Sequence, residues 1–223
     1  MPIIKYSIHD SGYVGAYATA TDSRIFVGSS LNKAAQRAIS GALNAECIPI
    51  TIGMSDLIGV FSRANSNGMV LSNVATDMEL ANIKKNAKGM NIGIIKSGLN
   101  AIGNNILAND KIAIVHPGYD SASIYEISDA LGVEAIRYDS DSFKTVGASN
   151  VLTNKGILIN NKSTDADQEF LDKATGMSSM RSTANTGALS IGLSVIANSY
   201  GIVAGSDTTG FELARIAEAL NIE

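Results

Sequence analysis

An aliphatic residue followed by glycine recurs at Val14-Gly15, Ile58-Gly59, Ile102-Gly103, Val146-Gly147 and Ile191-Gly192, the glycines spaced by 44, 44, 44 and 45 residues. Five occurrences in register along 223 residues point to a repeat architecture, in which each unit has an apolar face that only its neighbours can bury. Six or seven residues after each glycine the chain turns polar: Thr21-Asp22-Ser23, Asn65-Ser66-Asn67-Gly68, Asn109-Asp110, Asn154-Lys155-Gly156 and Asn198-Ser199-Tyr200-Gly201. Asn and Gly accept the positive φ of tight hairpins, so each cluster is expected to join two short antiparallel strands. The second strand of each pair (residues 25–27, 69–71, 112–115, 157–159 and 202–204) is continuously apolar. That composition suits burial between a sheet neighbour and a covering helix.

Helix starts follow. Thr76 with Glu79, Ser123 with Glu126 and Thr209 with Glu212 fit capping boxes, and Asp165 with Gln168 is a weaker version. Residues 31–39 have helical spacing without a box. After four of the helices a further strand is expected, at residues 46–52, 91–95, 133–137 and 177–180. After the fifth helix none remains, whereas residues 3–8 form a strand with no repeat of their own. The surplus matches the deficit. The expectation is therefore an α/β single domain over residues 1–223, a closed ring of five strand-turn-strand-helix-strand units. The units start near 12, 56, 100, 144 and 189, and residues 2–8 complete the fifth. Closure removes the strand edges and apolar faces that an open stack exposes.

Composition narrows the function. A net charge of −4 argues against broad nucleic-acid binding, so DNA is not an expected partner. A single cysteine, Cys47, excludes an internal disulfide framework and a Cys-rich zinc site. Residues 182–206 carry no charge, but Asn185, Asn198 and the turn at Asn198-Ser-Tyr-Gly201 make them two strands and not a membrane span. With no export signal, a cytoplasmic protein without membrane contact is expected.

The segments Gly68-Met-Val-Leu-Ser-Asn-Val-Ala-Thr-Asp-Met-Glu-Leu80, Leu99-Asn-Ala-Ile-Gly-Asn104, residues 109–117 with Val115-His-Pro, and Ala204-Gly-Ser-Asp-Thr-Thr209 carry a resemblance over essentially the whole chain. The chain resembles the translation initiation factor 6 family, the anti-association factors of the large ribosomal subunit. The resemblance implies a pentein fold, five quasi-identical units about a pseudo-fivefold axis. It also implies a function without chemistry, cofactor or metal. Such a protein binds the joining face of the large subunit, mostly through ribosomal protein beside the sarcin–ricin loop, with limited rRNA contact. Its bulk then keeps the small subunit away during initiation and late subunit maturation. Carried over residue by residue, ribosome contact falls on Asn104 and, less directly, on Ser149 and Ser190. Eukaryotic members extend beyond the last helix, so this chain looks like the archaeal form, and a monomer is expected.

The alternative is a pentein hydrolase or transferase acting on a guanidino or amide substrate. Those enzymes place a cysteine nucleophile near the C-terminus, whereas Cys47 lies in the first unit and reads as a buried structural thiol. The repeat glycines read as strand bends or close backbone approaches. His116, before Pro117 and Gly118, reads as a turn residue, and His9 has no recognisable partner. Asp139-Ser-Asp141 reads as a solvated turn and not a calcium loop. Lys84, Lys85 and Lys88 read as a solvated helix face, with rRNA phosphates the other reading. Residues 93–97 read as strand and not as a phosphate loop.

Overall fold

The computed structural model describes residues 2–140 and 142–223. The fold is mixed α/β, with five three-stranded sheets. The chain opens with β1 (Ile3–Tyr6). The first full unit then lays down a hairpin of β2 (Ala18–Ala20) and β3 (Arg24–Gly28), crosses over through α1 (Lys33–Leu43), and adds β4 (Glu46–Ile50) parallel to β3. A parallel partner needs a crossover of this kind, because a tight turn can only reverse the chain. The second unit repeats the order with β5 (Ser62–Ala64), β6 (Gly68–Ser72), α2 (Asp77–Asn86) and β7 (Asn91–Ile95). The third has β8 (Ile106–Ala108), β9 (Ile112–Val115), α3 (Ser121–Leu131) and β10 (Glu134–Arg137). The fourth has β11 (Val151–Leu152), β12 (Ile157–Asn160), α4 (Asp165–Thr175) and β13 (Met180–Ser182). The last comprises β14 (Val195–Ala197), β15 (Ile202–Gly205) and α5 (Gly210–Ala219). Its third strand comes from the other end of the chain: β1 pairs parallel to β15, Ile3 opposite Ile202 through Tyr6 opposite Gly205.

All five middle strands are buried over nearly their full length, as their unbroken apolar runs require. The core divides into five apolar clusters, each shared by consecutive units. Phe26, Ile48 and Ile50 of the first unit pack with Met69, Leu71 and Ile83 of the second. Val70 of the second packs with Ile106, Ile127 and Leu131 of the third. Leu107 and Ile114 join Ile157 and Leu171, and Leu158 joins Ile202 and Ile216. The fifth cluster returns to the start, with Ile196 and Val203 packed on Ile25, Ile39 and Leu43.

The repeat glycines sit in short helical turns just before the first strands, and not in strands as the sequence suggests. These turns are Val14–Ala16, Ile58–Phe61, Ile102–Asn105, Val146–Ser149 and Ile191–Ser194. Close backbone approach is their role. A Cβ on Gly59 would overlap the carbonyl oxygen of Gly15. The same holds for Gly103 on Gly59, Gly147 on Gly103, Gly192 on Gly147 and Gly15 on Gly192.

Helix starts and one strand depart from expectation. Full capping boxes form at Thr76–Glu79 and Thr209–Glu212. At α3 the cap is Asp120, which accepts the Ser123 N–H, so the helix begins before the proposed Ser123–Glu126 box. At α4 the box is Thr164 with Asp167, one residue earlier than read. α1 is capped by Asn32. β13 overlaps the expected residues 177–180 only at Met180, because α4 runs to Thr175 and ends on left-handed Gly176, so residues 177–179 serve as the connection.

Candidate functional site

Each first strand (β2, β5, β8, β11 and β14) has a helical turn at one end and a polar hairpin at the other. At the helical-turn end, Asn104 follows Gly103, and its amide donates to Ala101 O at 3.0 Å. The side chain is half-buried, and its Oδ1 is enclosed without a hydrogen-bond partner. The residues that follow the other repeat glycines are Ala16, Val60, Ala148 and Leu193, so Asn104 alone brings a polar side chain to that position. Ser149 closes its turn and is buried. Ser190 precedes its turn, half-buried, and its carbonyl accepts from the Ser194 hydroxyl at 3.0 Å. The three residues therefore occur on three successive turns but at non-equivalent positions.

At the hairpin end the polar clusters cross-link the units. Asn65 Nδ2 donates to Asn109 O, Asn109 Nδ2 to Thr153 O and Asn198 Nδ2 to Thr21 O, each at 3.0 Å. Asp110 accepts from the Ser66 amide and hydroxyl at 2.7 and 2.8 Å, and Asp22 accepts from the same pair of groups on Ser199 at 2.9 and 2.8 Å. Asn154 Nδ2 reaches both carboxylates, at 2.7 Å from Asp110 and 3.0 Å from Asp22. Sequence reading treats these residues as turn formers only. Their 44-residue spacing was the available signal for contact between units.

Between the two ends lies a cavity of about 40 Å3 lined by residues of β2, β5, β8, β11 and β14, with Arg63 and Thr19 among them. Elsewhere three acidic residues hold connecting loops. Burial opposes ionisation of Glu79. Hydrogen bonds from the Thr76, Met54 and Gly53 amides and the Thr51 side chain outweigh it and bring the carboxyl to about 2. Glu212 is likewise brought to about 2, against burial, by Thr209, Thr183 and Gly187, and Asp167 by Tyr138, Thr164, Ser142 and Ser140. Met54, Met78 and Phe211 stand exposed beside the Glu79 and Glu212 loops; the apolar spacing of residues 211–220 puts Phe211 on one face with Leu213, Ile216, Ala217 and Leu220, but in the structure it points to solvent.

The remaining candidates hold structural places. Cys47 is half-buried in β4, its thiol donating to Gln36 O at 3.3 Å, and burial pushes it up to about 11. His116 Nδ1 accepts the Gly118 amide at 2.9 Å, and burial lowers its basicity. His9 does have partners: Nε2 lies 3.0 Å from Ser30 Oγ, itself bonded to Asp56, and the ring packs edge-on to Tyr17. Lys84, Lys85 and Lys88 are exposed, and residues 91–95 are strand. Asp139 pairs with Lys144 at the surface; Asp141 lies outside the described residues. Among the described residues no three His, Cys, Asp or Glu side chains gather as a metal site, and no helix is long and apolar enough to cross a membrane.

These features define a mixed α/β repeat protein whose units contact one another in cyclic order and whose hairpin side chains cross-link neighbouring units. Residues 3–219 match the eIF-6 family. Translation initiation factor 6 of Thermoplasma acidophilum is 36% identical over 219 residues, 98% of this chain and 100% of the relative. The Picrophilus torridus protein of the same name is 36% identical over 220 residues, with the same coverage of each. That of Thermococcus onnurineus is 34% identical over 224 residues, covering 99% and 98%. The chain belongs to the eIF-6 family, a family of initiation factors in protein biosynthesis.

Proposed function

We propose that this chain acts in translation initiation by binding the joining face of the large ribosomal subunit and excluding the small subunit sterically, without catalysing a reaction. In this reading residues 1–223 are one pentein domain, a closed ring of five units starting near residues 12, 56, 100, 144 and 189 about a pseudo-fivefold axis. Residues 2–8 complete the fifth unit. It works as a cytoplasmic monomer, touching ribosomal protein beside the sarcin–ricin loop with limited rRNA contact.

The cyclic order of inter-unit contacts carries this reading. Steric exclusion requires a body that keeps its shape when pushed, and shared apolar clusters with backbone-to-backbone glycine contacts supply it. The binding free energy is then used to occupy space. Family membership supplies the initiation context. The hydrolase reading gains no support at Cys47, whose thiol is held largely protonated at neutral pH.

Asn104, Ser149 and Ser190 are the proposed contact residues. Purified large subunits should carry the chain through a sucrose cushion and lose their ability to join small subunits. Replacing Asn104 with Lys should weaken co-sedimentation about tenfold or more, the order expected for a centrally placed contact residue. Wild-type protein that stays in the supernatant would sink the proposal.

A further inference from the structure

Among the described residues the outer strand of each sheet, β1, β4, β7, β10 or β13, pairs with one neighbour only. Such an edge offers a row of amides and carbonyls to any other chain, and proteins blunt it with proline, charge, shortness or a covering group. Four of the outer strands are blunted in these ways. β4 carries exposed Pro49, and β1 carries exposed Lys5. β10 begins and ends on exposed charges, Glu134 and Arg137. β13 has three residues, and its Arg181 carbonyl accepts from the Arg215 guanidinium at 3.1 Å. β7 is five residues long, Asn91-Ile-Gly-Ile-Ile95, without charge or proline, and Lys96 lies past its end.

The open side of β7 is also acidic. The Asn91 amide donates to Asn67 O at 3.0 Å and so faces β6; by alternation the amides and carbonyls of Ile92 and Ile94 face outward. A groove of about 420 Å3 runs beside them, lined by residues 91–94 and by Glu126, Asp129 and Ala130 of α3. Both acids are exposed, and among the described residues neither enters an ion pair. α3 lies on the face to which Gly93 points, where a Cβ would meet that of Ala130, whereas Ile92 packs on the opposite face with the cluster of Met69 and Leu71. An added strand would therefore turn alternate side chains toward the carboxylates.

We propose that β7 is a docking edge for an extended basic segment of a partner protein, which adds as a fourth strand and sets lysine or arginine side chains against Glu126 and Asp129. The backbone ladder supplies affinity and the acids select the charge. A second copy of this chain is the poorer occupant, because pairing β7 with β7 about a two-fold axis brings two acidic grooves together. This inference goes beyond the ribosomal reading and does not depend on it.

The isotope-labelled full chain, titrated with acetyl-Lys-Val-Lys-Val-Lys-Val-Lys-amide, decides it by nuclear magnetic resonance. The Ile92 and Ile94 amides should shift most and exchange with solvent about tenfold more slowly or better. The same peptide with Glu for Lys should leave them unmoved. Glu126→Gln with Asp129→Gln should weaken binding of the basic peptide about tenfold. Ile94→Pro copies Pro49 at the equivalent place in the register and removes an amide that the β6 ladder does not use, so the chain should fold and bind the peptide about tenfold more weakly or worse. Absence of shifts at β7 overturns the proposal. Equal binding by folded Ile94→Pro marks charge attraction without strand pairing, and also overturns it. A dimer that forms through β7 without peptide gives the edge to a second copy and overturns it too. Should Ile94→Pro fail to fold, peptides N-methylated at one or the other set of alternate amides replace it; undiminished binding of both overturns the proposal.

Discussion

Single atoms set the tolerances of this protein. The repeat glycines leave no room for a methyl group, since each would-be Cβ meets a backbone oxygen of the neighbouring unit. Gly103→Ala should therefore cost about 3 kcal/mol or more in chemical denaturation, the upper range for overpacking against atoms that cannot move aside. Gly41→Ala, on an exposed helix position with open space around it, should instead be neutral or slightly stabilising. The acidic side chains make a second prediction. Glu79, Glu212 and Asp167 ionise near 2 in the folded chain, against ordinary values of 4.5, 4.5 and 3.8. A folded-state value below the unfolded one means that stability is fully present above about pH 4.5 and is lost as pH falls toward 2. Urea midpoints should fall across that window, and Glu79→Gln with Glu212→Gln should flatten the fall. An unchanged slope in the double variant would show that other groups govern acid unfolding. Cys47 should resist alkylation: a thiol moved from 9.0 to about 11 has about a hundredfold less thiolate at pH 8.

Elements whose chemistry is local were legible, and those fixed by distant partners were not. The hairpins at residues 20–25 and 197–202 could be read directly, but not through the positive φ expected of them: the Thr21 hydroxyl and the Asn198 side-chain oxygen accept from the amides two and three residues on, and no residue of either turn has a positive φ. β7 also lies where its apolar run places it. β13 did not, because Met177-Ser-Ser-Met-Arg-Ser182 has no strong period and its position is set by pairing with β12. The α3 start was obscured by two good capping residues three positions apart, Asp120 and Ser123, and the earlier one acts. In the hairpins, each polar residue could be read as a turn former, but its bond to the next unit depends on how the units stack. Arg63 gave no sign of facing the centre, since a short strand of mixed composition does not reveal its buried side. β1 tests the role of distant pairing. It pairs along its whole length with β15, the Pro2 carbonyl accepts the Ile202 amide at 2.7 Å, and Lys5 Nζ reaches Thr208 O at 3.0 Å. Deleting residues 2–8 should lower the melting temperature by ten degrees or more, or prevent folding. A synthetic peptide of those residues, added back, should restore part of the loss. A truncated chain that melts with the full-length protein would refute this account of the fifth sheet.

At the scale of the whole molecule the two ends of the chain are neighbours. Pro2, Asn221, Ile222 and Glu223 line one surface groove with Tyr200 and Lys155. A circular permutant that joins Glu223 to Met1 through a short Gly-Ser link and opens at exposed Gly98 should fold, with a cooperative transition close to that of the parent. Loss of folding would show that the order of the units along the chain matters more than their contacts. The sharing of every apolar cluster between consecutive units has a further effect on what a gene for this protein can become. Linear repeat proteins lengthen or shorten by duplicating or dropping a module, because the end modules cap whatever lies between. Here each module is both host and guest of another, so a copy number of four or six would require contacts between modules to be remade for every member at once. Evolution can alter what these modules display, but it cannot add or remove one a single step at a time.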